Sequence, residues 1–197
     1  MTYTRPKPQT FADLLNYDDS SECRYELMIN EDLREVPPET EENDYLATEL
    51  YEALKAVVAR RLIKTNSTTL EVRPFGDKSL NRYPDLVVLR PGHIGLMASI
   101  KKNAISLEMS APQLVAEVVS PGNEKSENYQ RDYVWKRQQY QTRGIPGYWI
   151  IDPHRAQVAV LILVDGVYKE AIYKADDRIQ SRIFPALSLT AKQVLKR

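Results

Sequence analysis

The chain has 197 residues, 43% of them apolar, and carries 27 basic against 27 acidic side chains, a formal net charge of zero. That length suits one domain burying about 70% of its unfolded surface, and the neutral balance argues against a protein that coats nucleic acid by bulk charge. No stretch reaches the roughly 18 uninterrupted apolar residues of a membrane span, the opening MTYTRPKPQT lacks a signal peptide's apolar segment, and a lone Cys23 allows neither an intrachain disulfide nor a CxxC zinc knuckle. A cytosolic protein is the expectation.

Residues 1–9 read as a loose arm, followed by TFADLLNY, a short helix with Thr10 as its N-cap. RYELMIN and EDLREV read as two strands joined near Asn30, a hairpin stopped by Pro37-Pro38. From Thr40, TEENDYLATELYEALKAVVARRLIKT has the strongest helical pattern, with Leu46, Leu50, Ala53, Leu54, Val57 and Val58 on one stripe. Glu41, Glu42 and Asp44 fall at its positive end and Arg60, Arg61 and Lys64 at its negative end, as the helix dipole favours. TTLEVRPF and YPDLVVLRP are expected strands; residues 93–103 are ambiguous and compatible with a short helix ending near Lys101-Lys102. AISLEM and QLVAEVVS follow as strands, then a helix from about Asn128 to Arg143, stopped by Gly144 with Pro146 beyond. GYWIID and QVAVLILV are strands, Asp165-Gly166 turns the chain into VYKEAIY, and a short helix from Thr190 closes it. No internal repeat, low-complexity tract or linker interrupts what reads as one α/β domain.

Two carboxylates break this pattern. Glu117 stands inside LVAEVVSPG, an apolar run that reads as a strand buried on both faces. An ionised carboxylate there costs several kcal/mol unless a cation, a metal or several hydrogen bonds receive it. Asp85 stands at the start of another apolar strand, directly after Pro84. If the two strands are neighbours, the carboxylates repel and one holds a proton unless a cation lies between them. Mg²⁺ needs little more than one or two carboxylates, a carbonyl and waters. Capping where the strand begins, for Asp85, and a buried arginine partner, for Glu117, remain alternatives. On the helix, Tyr129, Tyr133, Lys136 and Tyr140 are spaced 4, 3 and 4 apart, hence on one inward face. Lys136 among these tyrosines suggests a cation for the site; an i,i+4 pair with Asp132 is the plainer reading.

An aspartate, then a glutamate about thirty residues on, with a lysine nearby, resembles the PD-(D/E)xK nuclease core, although Val119 stands where that core usually has its lysine. NRYPDLVVLRP, LVAEVVSPG, RDYVWKRQQY, RGIPGYWIIDP and YELMIN, in their places between about residues 10 and 195, together resemble the Uma-type family of restriction endonucleases, formerly a domain of unknown function. The resemblance implies a restriction-endonuclease-like α/β core, a mixed central β-sheet flanked by helices, with the lysine moved onto the following helix as Lys136. It implies that Asp85, Glu117 and the Val118 backbone carbonyl hold Mg²⁺ or Mn²⁺, that Lys136 orients the attacking water, and that hydrolysis leaves a 5′-phosphate. Arg82 and Tyr140 are candidate outer or phosphate contacts, with Arg82 equally readable as a structural salt-bridge partner. It also implies a nucleic-acid substrate, DNA first, and a homodimer. Asn43 replaces a histidine common in the family, and Gly147 an acidic residue often found before YWI.

Two other readings compete: a catalytically degenerate nucleic-acid-binding or assembly module on the same fold, and a glycosidase whose carboxylates flank a sugar cleft without metal. His93 and His154, the only histidines, form neither an HExxH site nor a Ser-His-Asp arrangement, no P-loop or GxGxxG follows a strand, and Cys23 lacks a nucleophile's motif. Lys101, Lys102, Arg131, Arg137 and Arg143 flank the site in sequence and are the cations on offer for a salt-sensitive DNA path.

Overall fold

Thr10 opens α1 (Phe11–Asn16) through a capping box with Asp13, and Thr40 opens α2 (Glu41–Leu54) by accepting the Asn43 N–H. Between them β1 (Arg24–Leu27) and β2 (Leu33–Val36) form the expected antiparallel hairpin. The structure, a computed structural model, describes residues 7–21 and 23–196. Residues 1–6 of the expected arm lie outside the described residues, and residues 7–9 precede α1 without regular structure.

The long helix is shorter than its periodicity predicts. It ends at Leu54, and after a turn and a 3₁₀ segment at Arg60–Leu62 the chain becomes β3 (Ile63–Thr65), paired antiparallel with β6 (Leu86–Val88). Arg60, Arg61 and Lys64 therefore do not cap a helix dipole. The apolar stripe continues past the helix because Val58 and Ile63 serve the same core from a different backbone.

Six strands form the main sheet, in the order β11 (Val167–Lys174), β10 (Gln157–Val164), β9 (Gly147–Asp152), β8 (Leu114–Val118), β6, β3. Only β8 and β9 are parallel, so the sheet is mixed, as the family resemblance implied. A smaller sheet joins β4 (Thr69–Glu71) to β5 (Asn81–Arg82) and to β7 (Ala104–Ile105), all that AISLEM contributes as strand. The ambiguous stretch holds α3 (Pro91–Ile100), ended by Lys101 in the left-handed conformation. The second long helix is not continuous: α4 (Glu127–Tyr129) passes through a π-helical turn, Gln130–Trp135, into α5 (Lys136–Arg143), and Gly144 ends it at φ +74°. The C-terminal helix is α6 (Ala191–Leu195).

Side-chain alternation along β8 decides where the site lies. Leu114, Ala116 and Val118 join the core under α2 and α6, with Leu50, Leu54, Trp149 and Ile151. Val115 belongs to the opposite core, with Tyr140, Tyr148 and Ile150. Glu117 shares Val115's face, so its carboxylate emerges beneath α5. Both faces are covered, which is why the run is continuously apolar.

Candidate active site

In the β6–β8 ladder Leu86 faces Ala116, so one further step of the register sets Asp85 across from Glu117. Asp85 Oδ2 accepts the Val118 N–H at 2.6 Å, which ties it to β8. Glu117 is bound on both oxygens: Oε2 accepts from Lys136 Nζ at 2.7 Å and Oε1 from the Tyr140 hydroxyl at 2.5 Å. Lys136 Nζ also lies 2.8 Å from Asp132 Oδ1, an ion pair without hydrogen-bond alignment. The site lysine and the plain i,i+4 pair are thus the same side chain. The four ionisable groups are nearly inaccessible, at 5% for Asp85, 1% for Glu117, 2% for Asp132 and 8% for Lys136.

Burial, followed by the charges of Glu117 and Glu39, pushes the Asp85 carboxyl well above its ordinary range. Burial raises Glu117 too; Lys136 opposes that shift and Asp132 adds to it. For Lys136 burial works against the charge, but Asp132 and Glu117 outweigh it and keep the ammonium protonated. Tyr140 is held in its neutral, donating form by burial and by Glu117. Two buried carboxylates that resist ionising together form a hard-oxygen pair to which a divalent cation is suited. Among the described residues no three His, Cys, Asp or Glu side chains are grouped as a metal cluster. A cation here would take the two carboxylates, a carbonyl and waters, and Mg²⁺ tolerates so sparse a set. The available carbonyl is that of Val118, towards which Asn43 Nδ2 points from 3.4 Å.

These groups line a cleft of about 450 Å³, whose lining carries seven carboxylates against the cations Arg34, Arg131 and Lys136. Arg82 is not among the lining residues. Its fully buried guanidinium donates to Gln139 at 2.8 Å, to Glu26 at 3.1 Å and to Asp77 at 2.6 Å. Of the two readings of Arg82, the geometry is that of the structural salt-bridge partner, because its donors point inward to Gln139, Glu26 and Asp77. Arg34 completes this network through Glu26 and Asp77 and reaches Glu127 at the cleft. Tyr140 does meet the site, through Glu117.

The four-residue face on the second helix does not converge as its spacing suggests. Lys136 and Tyr140 reach Glu117, whereas the Tyr133 hydroxyl bonds Asp152 at 2.8 Å and Tyr129 stacks on Tyr133 beneath Arg155. The π-helical turn adds a residue between the two pairs and breaks the count. Of the five cations expected along a DNA path, only Arg131 lines the cleft. Arg137 pairs with Glu170 at 2.6 Å, Arg143 donates to the Ser106 and Met109 carbonyls, Lys101 ends α3 and Lys102 is exposed outside the cleft. Glu26, Asp77 and Arg34 escape sequence reading. Glu26, placed between Tyr25 and Leu27 in a short strand, is the one visible signal.

The model of one family, described as "Uma2: Putative restriction endonuclease", matches residues 8–192. No curated protein matches the chain. Among solved structures it is similar to that of a putative nuclease belonging to DUF820 from Anabaena variabilis, with a TM-score of 0.66 over 96% of this chain and 98% of that one. At 18% identity that likeness establishes the fold, the restriction-endonuclease-like core. With a family model spanning nearly its whole length, this chain belongs to the Uma2 family.

Proposed function

We propose that the protein is a metal-dependent endonuclease that hydrolyses phosphodiester bonds, DNA being the first substrate to test. The observation that carries this reading is the buried Asp85–Glu117 pair at the floor of an open cleft, with Lys136 Nζ 2.7 Å from Glu117. The family's description and the nuclease name of the similar Anabaena protein support it. Asp85, Glu117 and the Val118 carbonyl would hold Mg²⁺ or Mn²⁺, which would supply Lewis-acid polarisation of a phosphoryl oxygen and lower the pKa of a water. The chain's own residues do the rest. Asp85 is held in place by the Val118 N–H, and Tyr140 holds Glu117. The Lys136 ammonium hydrogen-bonds the attacking water and offsets charge developing on the phosphorane. Cleavage leaves a 5′-phosphate, and a homodimer with two such clefts serves both strands. No helix among the described residues is long and apolar enough to cross a membrane.

One observation favours the degenerate module instead: the site satisfies itself without an ion, since Lys136 has two carboxylates, Glu117 has two donors and Asn43 approaches the Val118 carbonyl. Mn²⁺ calorimetry, with and without DNA, on the wild type, Asp85→Asn and Glu117→Gln separates the two, together with cleavage by the wild type and Lys136→Ala. The nuclease reading expects binding lost in both carboxylate variants, cleavage by the wild type, and cleavage lost in Lys136→Ala. A folded wild type that binds DNA, takes up no ion and cuts nothing establishes the module.

A further inference from the structure

We propose that Asp132, whose main-chain carbonyl the π-helical turn leaves to Tyr148, is the positioning residue for the Lys136 ammonium. This inference rests on the nuclease reading only for its catalytic consequence; its structural part stands alone.

The backbone of the turn is offset by one residue. The Lys136 N–H bonds the Arg131 carbonyl, five residues back, and not that of Asp132. The Asp132 carbonyl accepts instead from the Tyr148 hydroxyl of β9 at 2.8 Å. Tyr148 meets the Tyr140 ring edge-on, 5.0 Å between centroids at 81°, and Tyr140 holds Glu117 at 2.5 Å. A closed circuit results, running Glu117, Lys136, Asp132, Tyr148, Tyr140 and back to Glu117. The two anions of Lys136 stand on different elements, Glu117 on the central strand with its carboxylate held by Tyr140, and Asp132 on the helix with its main-chain carbonyl held by Tyr148.

Separate anchoring matters because Glu117 has two claimants. When it gives its charge to a divalent ion, a lysine with no other partner would be buried beside a cation and would swing away. Asp132, 2% exposed and 2.8 Å from Nζ, is a second anion that would keep the ammonium at the cleft floor independently of Glu117. An ordinary helix-surface ion pair would have neither the burial nor the backbone anchor.

The test uses Asp132→Asn, Asp132→Glu, Lys136→Ala and the double variant Asp132→Asn/Lys136→Ala. Four readouts are taken: Mn²⁺ calorimetry, thermal midpoint, single-turnover DNA cleavage, and nitrogen NMR of the Lys136 ammonium, assigned by its loss in Lys136→Ala. Asp132→Asn should bind Mn²⁺ within a few-fold of wild type yet cut about 100-fold more slowly at saturating DNA, the scale expected for losing one oriented charged donor. Asp132→Glu should recover most of the rate. The double variant should be no slower than Lys136→Ala, since Asp132 acts through the lysine. The ammonium resonance, sharpened in the wild type by two fixed carboxylates, should broaden away in Asp132→Asn and persist in Glu117→Gln. A wild-type rate in Asp132→Asn, an additive loss in the double variant, or a resonance that depends on Glu117 alone overturns the proposal. If the wild type cuts nothing, the nuclease reading fails, and the resonance still decides whether Asp132 positions the lysine.

Discussion

The Arg82 guanidinium, fully buried, satisfies Glu26, Asp77 and Gln139 at once, so its loss leaves two largely buried carboxylates to Arg34 alone. Arg82→Met is expected to cost about 3–5 kcal/mol, the usual penalty for removing one partner of a buried pair, read as a lower urea midpoint. Asp85→Asn, three residues on, should leave that midpoint unlowered while abolishing Mn²⁺ binding, because the amide oxygen still accepts the Val118 N–H and a buried charge is removed. Burial pushes Glu26 and Asp77 upward, but Arg82 and Arg34 outweigh it and leave both carboxyls below the ordinary range. The native state therefore binds fewer protons there than the unfolded chain. That stability is fully present above the ordinary carboxylate range and is lost as pH falls through the lowered values. Glu26→Gln should flatten the acid limb of the urea midpoint between about pH 2 and pH 5.

The π-helical turn sits against a loop that leaves it little room. Gly76, at φ +60°, would place a β-carbon 2.2 Å from Trp135 Cδ1. Gly76→Ala should therefore cost about 1–3 kcal/mol through overpacking, seen as a lower melting temperature, and should weaken cleavage by displacing the helix that carries Lys136. At Gly147 an added β-carbon would lie 2.8 Å from Leu114 Cδ1 and 3.1 Å from Ile183 Cγ1. Periodicity overstates both long helices for related reasons. In α2 the stripe outlasts the helix because β3 feeds the same core, and in the second helix one extra residue re-aims Tyr129 and Tyr133 without disturbing Lys136 and Tyr140. Hydrophobic spacing reports which core a residue serves and is blind to a change of backbone that serves it equally well.

Across the whole molecule the charges balance, but the cleft does not: its lining sets seven carboxylates against three cations. A polyanion entering it meets repulsion that a divalent ion relieves. DNA binding measured by fluorescence anisotropy in Mg²⁺ should weaken at least about tenfold on adding EDTA, and should fall further with monovalent salt in a log–log relation. Binding indifferent to EDTA would mean that DNA lies elsewhere. The sequence was enough to reveal the α/β class, the strands that carry Asp85 and Glu117, and the helix that carries Lys136. Each is a local signal, a carboxylate inside an apolar run or a lysine on an inward helical stripe, and each follows from the cost of burying charge. Contacts between distant segments set the remaining assignments. Arg82 meets Glu26 across 56 positions, Asn43 approaches Val118 across 75, and four of the five flanking cations lie outside the cleft, Arg137 and Arg143 with partners elsewhere. Which buried charge finds which partner depends on how strands and helices pack, and packing is a property of the assembled sheet that no local stretch contains.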